Sequence, residues 1–211
     1  SLALKNQKRE QEKLSSDERK QKNMLESLKK QEKNLLAKQK EQQKKVDALN
    51  KKIEELIAKQ VRTTSTLTKE QQLIAGGFEA NQGRMPWPVE KGYISGHFGK
   101  HKHPIHEHVT IDNKGIYLQT VSNASARAIY EGEVTWCAQM NGSYAVIIQH
   151  GNYRSVYSPL KTIKVKQGDK VTAKQEIGTI VTNTQEDNKT ELYFQIYKDR
   201  SILNPSLWLA Q

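Results

Sequence analysis

From Leu14 to Gln60, apolar residues return every three or four positions on a polar background. One line of this repeat holds Leu14, Gln21, Leu28, Leu35, Gln42, Leu49 and Leu56; the other holds Glu18, Leu25, Glu32, Gln39, Val46, Ile53 and Gln60. Eight of the fourteen positions are aliphatic, helix formers fill the rest, and nothing interrupts a helix before Thr63. The pattern predicts a coiled-coil helix over residues 1–62. Its polar seam positions weaken the seam, and so polar a helix buries too little surface alone. A partner helix is expected, either from the same protein folding back or from a second copy.

Residues 63–84 read as a linker. Thr68 followed by Gln71 forms a capping-box signal, which predicts a short helix from Lys69 to Ala75 ended by Gly76 and Gly77. Its small apolar face comprises Leu67, Leu73, Ile74 and Phe78. At Met85-Pro86-Trp87-Pro88 the period changes, and residues 85–211 are expected to form one domain. Short β-branched and aromatic runs follow at 116–120, 126–130, 134–137, 144–149, 155–158, 177–181 and 192–197. Turn signals such as Glu131-Gly132, Asn141-Gly142 and Gln167-Gly168-Asp169 separate them. The fold class expected is α plus all-β: a long helix, then an antiparallel sandwich or barrel-like domain.

Composition sharpens the division. Residues 1–60 contain no aromatic residue, Pro or Gly, and carry 17 Lys and Arg against 10 Asp and Glu. The whole chain has a formal charge of +11. The basic residues of the first segment alternate with Glu and Gln and have no stacking aromatics among them, which argues for a solvated helix face and against nucleic acid. Cys137 is the single cysteine, so no internal disulfide forms. No run approaches the roughly 20 apolar residues of a membrane span. The chain opens without Met or a signal peptide, as expected of an excised or processed piece.

The order of landmarks in the second segment resembles the lysostaphin/LytM family of zinc peptidases. Trp87-Pro88-Val89 comes first, then Gly96-His97-Phe98-Gly99 with His103-Pro104. Ala128 to Val134, Val146 to Gly151, Val165 to Val171 and Gln175 to Gly178 match successive strands and hairpins, and Leu192 to Ile196 matches the last strand, with Asn204-Pro205 and Trp208-Leu209 at the end. The resemblance implies a LytM domain of the duplicated hybrid motif.

Active members hold zinc with a His, an Asp four residues later and a His on the last strand, assisted by two further His. At the matching positions this chain has Asn113, Tyr117 and Tyr193, with Pro159 and Glu191 where the assisting His belong. His108 and Asp112 also stand four apart, but in the family the Asp lies about fifteen residues before the hairpin glycine. Here that glycine is Gly132, which selects Tyr117. No catalytic residue, metal ligand or cofactor is expected. The tract His97, His101, His103, His106 and His108, beside Glu107, lacks a fixed ligand spacing and reads as incidental; His150 reads as structural.

Degenerate members resemble EnvC-type murein hydrolase activators. That resemblance implies a non-catalytic regulator of a zinc-dependent peptidoglycan N-acetylmuramoyl-L-alanine amidase in cell separation. The partner would bind in the former zinc groove, at Asn113, Lys114, Tyr117, Tyr157, Glu191, Tyr193 and Tyr197. It also implies a periplasmic location, recruitment of the coiled coil by a division-associated membrane complex, and an inhibitory segment over the groove, for which Leu73, Ile74 and Phe78 are the candidates. The alternatives are a cell-wall-binding module that activates nothing and, less favoured by the spacing, an active zinc endopeptidase.

Overall fold

The computed structural model describes residues 2–63, 66–102 and 110–211, with side chains from residue 4. His103, His106, Glu107 and His108 lie outside the described residues. Two compact units are distinguished, Ser1–Leu49 and Asn50–Gln211. The compact unit therefore begins well ahead of the expected boundary at 85, because the end of the long helix packs with the strands.

Helix α1 spans Leu2–Thr63. Within the first unit its seam residues Leu14, Leu25, Leu28 and Leu35 stay exposed. Within the second unit Asn50, Ile53 and Ile57 are buried, and Gln60 is half-buried. Ile53 and Gln60 belong to the seam read from the repeat, whereas Asn50 and Ile57 lie one position past its other line, at Leu49 and Leu56, which are only half-buried. Thr63 ends the helix by donating its hydroxyl to the carbonyls of Gln60 at 2.9 Å and Lys59 at 3.2 Å.

Helix α2 spans Lys69–Ala80 and carries the expected capping box: Gln71 N donates to Thr68 Oγ1 at 3.1 Å, and Thr68 N to Gln71 Oε1 at 3.0 Å. It does not stop at Gly76-Gly77. Phe78, fully buried among His150, Tyr153, Trp208 and Tyr130, draws the helix onward, and that burial outweighs about 1 kcal/mol lost per helical glycine. Gly77 fits because any Cβ there would strike the Tyr130 hydroxyl. Gly151, at φ +69°, lets the β-turn press against the α2 backbone at Gln71.

Thirteen strands are found among the described residues: β1 Tyr93–Gly96, β2 Gly99–Lys102, β3 Thr110–Asn113, β4 Ile116–Thr120, β5 Ser125–Arg127, β6 Gly132–Met140, β7 Ser143–His150, β8 Tyr153–Ile163, β9 Lys170–Val171, β10 Glu176–Ile180, β11 Thr182–Asn183, β12 Lys189–Lys198 and β13 Ser201–Leu203. The main sheet runs β1-β4-β12-β8-β7-β6-β9, all antiparallel, and β2-β3 form a separate hairpin. Strand β8 pairs with β7 along one edge and serves two partners along the other: Tyr153 to Ser158 pair with β12, and Leu160 to Ile163 pair with β10. This bend folds β10 and β5 over the sheet and closes the core.

Strand alternation gives the sheet two chemically distinct faces. Ile116, Leu118, Val146, Ile148, Tyr153, Tyr157, Leu192, Phe194 and Ile196 belong to one hydrophobic cluster. The residues between them, Tyr117, Ile147, Arg154, Val156, Ser158, Tyr193, Gln195 and Tyr197, form the other face. His150 is fully buried between Glu131 O at 2.6 Å and Ser155 Oγ at 2.8 Å, and burial lowers its pKa to about 4.

Candidate functional site

The second face is laid out by strand register. Tyr193 pairs with Tyr117 on one side and Ser158 on the other; Gln195 pairs with Val156, and Tyr197 with Arg154. Cross-strand neighbours stand close enough to touch, and the Tyr117 and Tyr193 rings stack at 4.6 Å with planes 28° apart. Asn113, at the end of β3, is buried and donates its amide to His97 O at 2.8 Å. Glu191 accepts from Ser95 Oγ at 2.5 Å and pairs with Lys189 at 3.2 Å. Lys114 joins through its carbonyl, which accepts from Gln195 Nε2 at 3.3 Å.

The end of α1 lies along this face. Asn50 Oδ1 accepts from Tyr193 OH at 3.2 Å and from Gln195 Nε2 at 3.1 Å. Three turns on, Gln60 Oε1 accepts from Arg154 Nε at 3.1 Å and from Thr135 Oγ1 at 3.4 Å. Ile53 and Ile57 fall between these two anchors and are buried to 0% and 1% exposure. Tyr197 is buried as well; burial first, then the Glu54 and Tyr193 charges, hold its phenol above the usual range. Gln60 also walls an open polar depression of about 670 Å³ shared with Glu133, Thr135, Gln149 and Gln167.

Of the expected groove residues, the structure brings together Asn113, Lys114, Tyr117, Glu191, Tyr193 and Tyr197. Tyr157 is a correction. It pairs with Phe194, faces the core, and accepts from Ile129 N at 3.1 Å through its hydroxyl, because its parity along β8 is that of Tyr153 and opposite to that of Arg154. The expected covering segment differs too. Leu73 is 78% exposed and Phe78 is a core side chain, so α2 does not present Leu73, Ile74 and Phe78 as one contact face. The segment on the groove is the end of α1. Its Asn50 and Ile57, and the strand residues Arg154, Ser158 and Gln195, were not singled out from the sequence, while Ile53 and Gln60 were read only as coiled-coil seam. The spacing of the four helix residues and the polar–apolar alternation of Tyr193 to Tyr197 were the available signals.

A tetrahedral zinc site takes thiolate, imidazole or carboxylate ligands. Asn113, Tyr117, Glu191 and Tyr193 do not fit that requirement: the one carboxylate is engaged by Ser95 and Lys189, and the Asn113 amide by a carbonyl. No cluster of three or more His, Cys, Asp or Glu occurs among the described residues. Asp112 is exposed and alternates with buried Asn113 on β3, so it points away from these groups. His108 lies outside the described residues.

Residues 112–205 match peptidase family M23. An uncharacterized protein of Neisseria meningitidis serogroup B is 33% identical over 137 residues, covering 64% of this chain and 22% of the relative. The murein hydrolase activator EnvC of Escherichia coli K12 is 25% identical over 138 residues, covering 64% of this chain and 31% of the relative. The chain thus spans no more than about a third of the length of these relatives. Among solved structures, Helicobacter pylori Csd3 superposes with a TM-score of 0.50 at 21% identity, over 60% of this chain and 35% of that one. A chain of the SpoIIQ–SpoIIIAH pore-forming complex gives 0.51 at 23%, over 61% and 92%. These structural likenesses, over about 60% of the chain, show the fold of the antiparallel domain that follows the long helix. Over residues 112–205, the chain is thus similar to peptidase family M23.

Proposed function

We propose that this chain is a non-catalytic activator of a peptidoglycan N-acetylmuramoyl-L-alanine amidase, which binds the sheet face around Tyr117, Tyr193 and Tyr197. One observation carries the reading. Where a zinc peptidase of this fold needs its ligands, the chain has Asn113, Tyr117 and Tyr193, with Glu191 in place of an assisting His, and a helix of its own lies on the face beside them. A groove that already seats an amphipathic helix through buried Ile and two polar anchors suits a partner helix of the same kind. Stacked tyrosines supply rigid area with a polar tip. Similarity to a murein hydrolase activator supports the reading. On it, residues 50–63 hold the face until a partner displaces them. The exposed seam of α1 takes a second helix or a division-associated membrane complex, and the protein works in the periplasm.

Dye release from labelled peptidoglycan tests the proposal, with the chain alone, a zinc amidase of the same bacterium alone, and both together. Release in the mixture only, lost with Tyr193→Ala, is the expected result. Release by the chain alone, abolished by a chelator, would make it a peptidase. Binding to sacculi without release in any mixture would leave a wall-binding module.

A further inference from the structure

The groove contains a charge that its resident helix does not match. Arg154 is 2% exposed. Its Nε donates to Gln60 Oε1 at 3.1 Å, while its Nη1 has no hydrogen-bond partner among the described residues. The amide oxygen it uses is shared with Thr135 Oγ1. Two more buried polar atoms on this face, Ser158 Oγ and Gln195 Oε1, are likewise without a partner among the described residues.

A guanidinium keeps its charge and presents five donors in a planar fork that fits a carboxylate two bonds at a time. A buried donor left unmade costs more than an ordinary hydrogen bond contributes. No carboxylate forms an ion pair with Arg154 among the described residues. Asp199 acts on it only through space, and Glu133 lines the neighbouring depression. Gln60 differs from the better partner, Glu, by one heteroatom. The resident helix therefore fits the groove in shape and underfits it in charge, as a displaceable occupant should.

We propose that the groove selects a partner helix carrying an Asp or Glu at the place Gln60 takes, and that this carboxylate pairs with Arg154 once residues 50–63 have left. The inference rests on the reading that a partner protein binds this face, and names the chemistry of that partner. The acidic side chain supplies the differential affinity without which an incoming helix cannot displace a resident one. The resident segment has the advantage of being tethered.

The test uses the full chain and two fluorescent peptides with the sequence of residues 50–63, one native and one with Glu in place of Gln60. The resident segment competes with both equally, so the ratio of affinities reports on Arg154. The Glu peptide is expected to bind at least tenfold tighter. The gap should close in Arg154→Gln and survive in part in Arg154→Lys, which keeps the test decisive if the Gln variant fails to fold. Equal affinities, including no measurable binding of either peptide, overturn the inference, as does a gap that persists in Arg154→Gln. Preference for the Glu peptide without amidase activation would remove the proposed function and leave an acidic-helix site. Activation without the preference would remove this inference alone.

Discussion

Ile57→Ala should loosen the end of α1 from the sheet face more than loss of either polar anchor. Ile57 is 1% exposed and Ile53 beside it 0%. Truncating such a side chain costs about 2–5 kcal/mol, the lost transfer energy plus the cavity left behind. The hydrogen bonds of Asn50 and Gln60 contribute about 1 kcal/mol each, net of water. The apolar centre thus dominates, and the substitution should weaken docking by roughly thirtyfold to several-thousandfold, at 1.4 kcal/mol per factor of ten. Hydrogen exchange read by mass spectrometry on the peptide covering residues 50–63 is the assay. An undocked polar helix is only marginally stable in water, so its amides should exchange faster in proportion to the lost docking energy. Exchange in β8 and β12 should be much less affected. Leu56→Ala, on a half-buried neighbour, should give a smaller change. Unchanged exchange at 50–63 in a folded Ile57→Ala chain would refute the argument, because it would mean that burial of this residue does not hold the segment. On the proposed function, the same variant should activate an amidase at lower concentration.

Phe78→Ala should destabilise the domain by about 3–5 kcal/mol, since it empties a site walled by four aromatic rings; denaturant unfolding of the full chain checks this, and a change under 1 kcal/mol would argue that α2 is a detachable linker. His150 has a folded pKa of about 4, below its ordinary value because burial disfavours the charged ring. The unfolded chain then binds more protons, so stability should fall as pH drops from about 6.5 towards 4, by about 3 kcal/mol in total. Unfolding at pH 7 and pH 4.5 measures the loss, which His150→Asn should largely remove. Purification without chelators should yield less than a stoichiometric equivalent of zinc; a full equivalent, lost in His108→Ala, would restore the peptidase reading.

Much of the architecture was legible as local pattern. The strand β4 read from Ile116 to Thr120 is found with those bounds, and β7, β10 and β12 contain or nearly contain the runs read at 144–149, 177–181 and 192–197. Alternation is a backbone property that needs no neighbours to appear. The capping box at Thr68 was equally local. The end of α2 was not, because Gly76-Gly77 reads as a stop until Phe78 is seen to fill the core. Short strands such as β9, β11 and β13 exist only through their pairing, so no run of residues announced them.

The candidate site divides the same way. That Asn113, Tyr117 and Tyr193 stand where the resemblance expects His and Asp is a matter of residue type and spacing, and so was readable from the chain. Which tyrosines face the groove is not written there. Tyr157 and Tyr193 carry the same side chain, and only register and sheet packing send one to the core and the other to the open face. The helix followed the same rule. Its repeat determined that residues 50–62 would be helical and amphipathic, but it left two lines open beside Ile53 and Gln60: one with Leu49 and Leu56, and one with Asn50 and Ile57 a position further on. The sheet, whose row of Tyr193, Gln195 and Arg154 meets Asn50 and Gln60, selected the second. Sequence alone determined most of the elements and which residue types stand along them, which are short-range and chemical. Tertiary structure decided which face each element turns and what covers the groove, because burial energy is gained only against a partner surface distant in the chain.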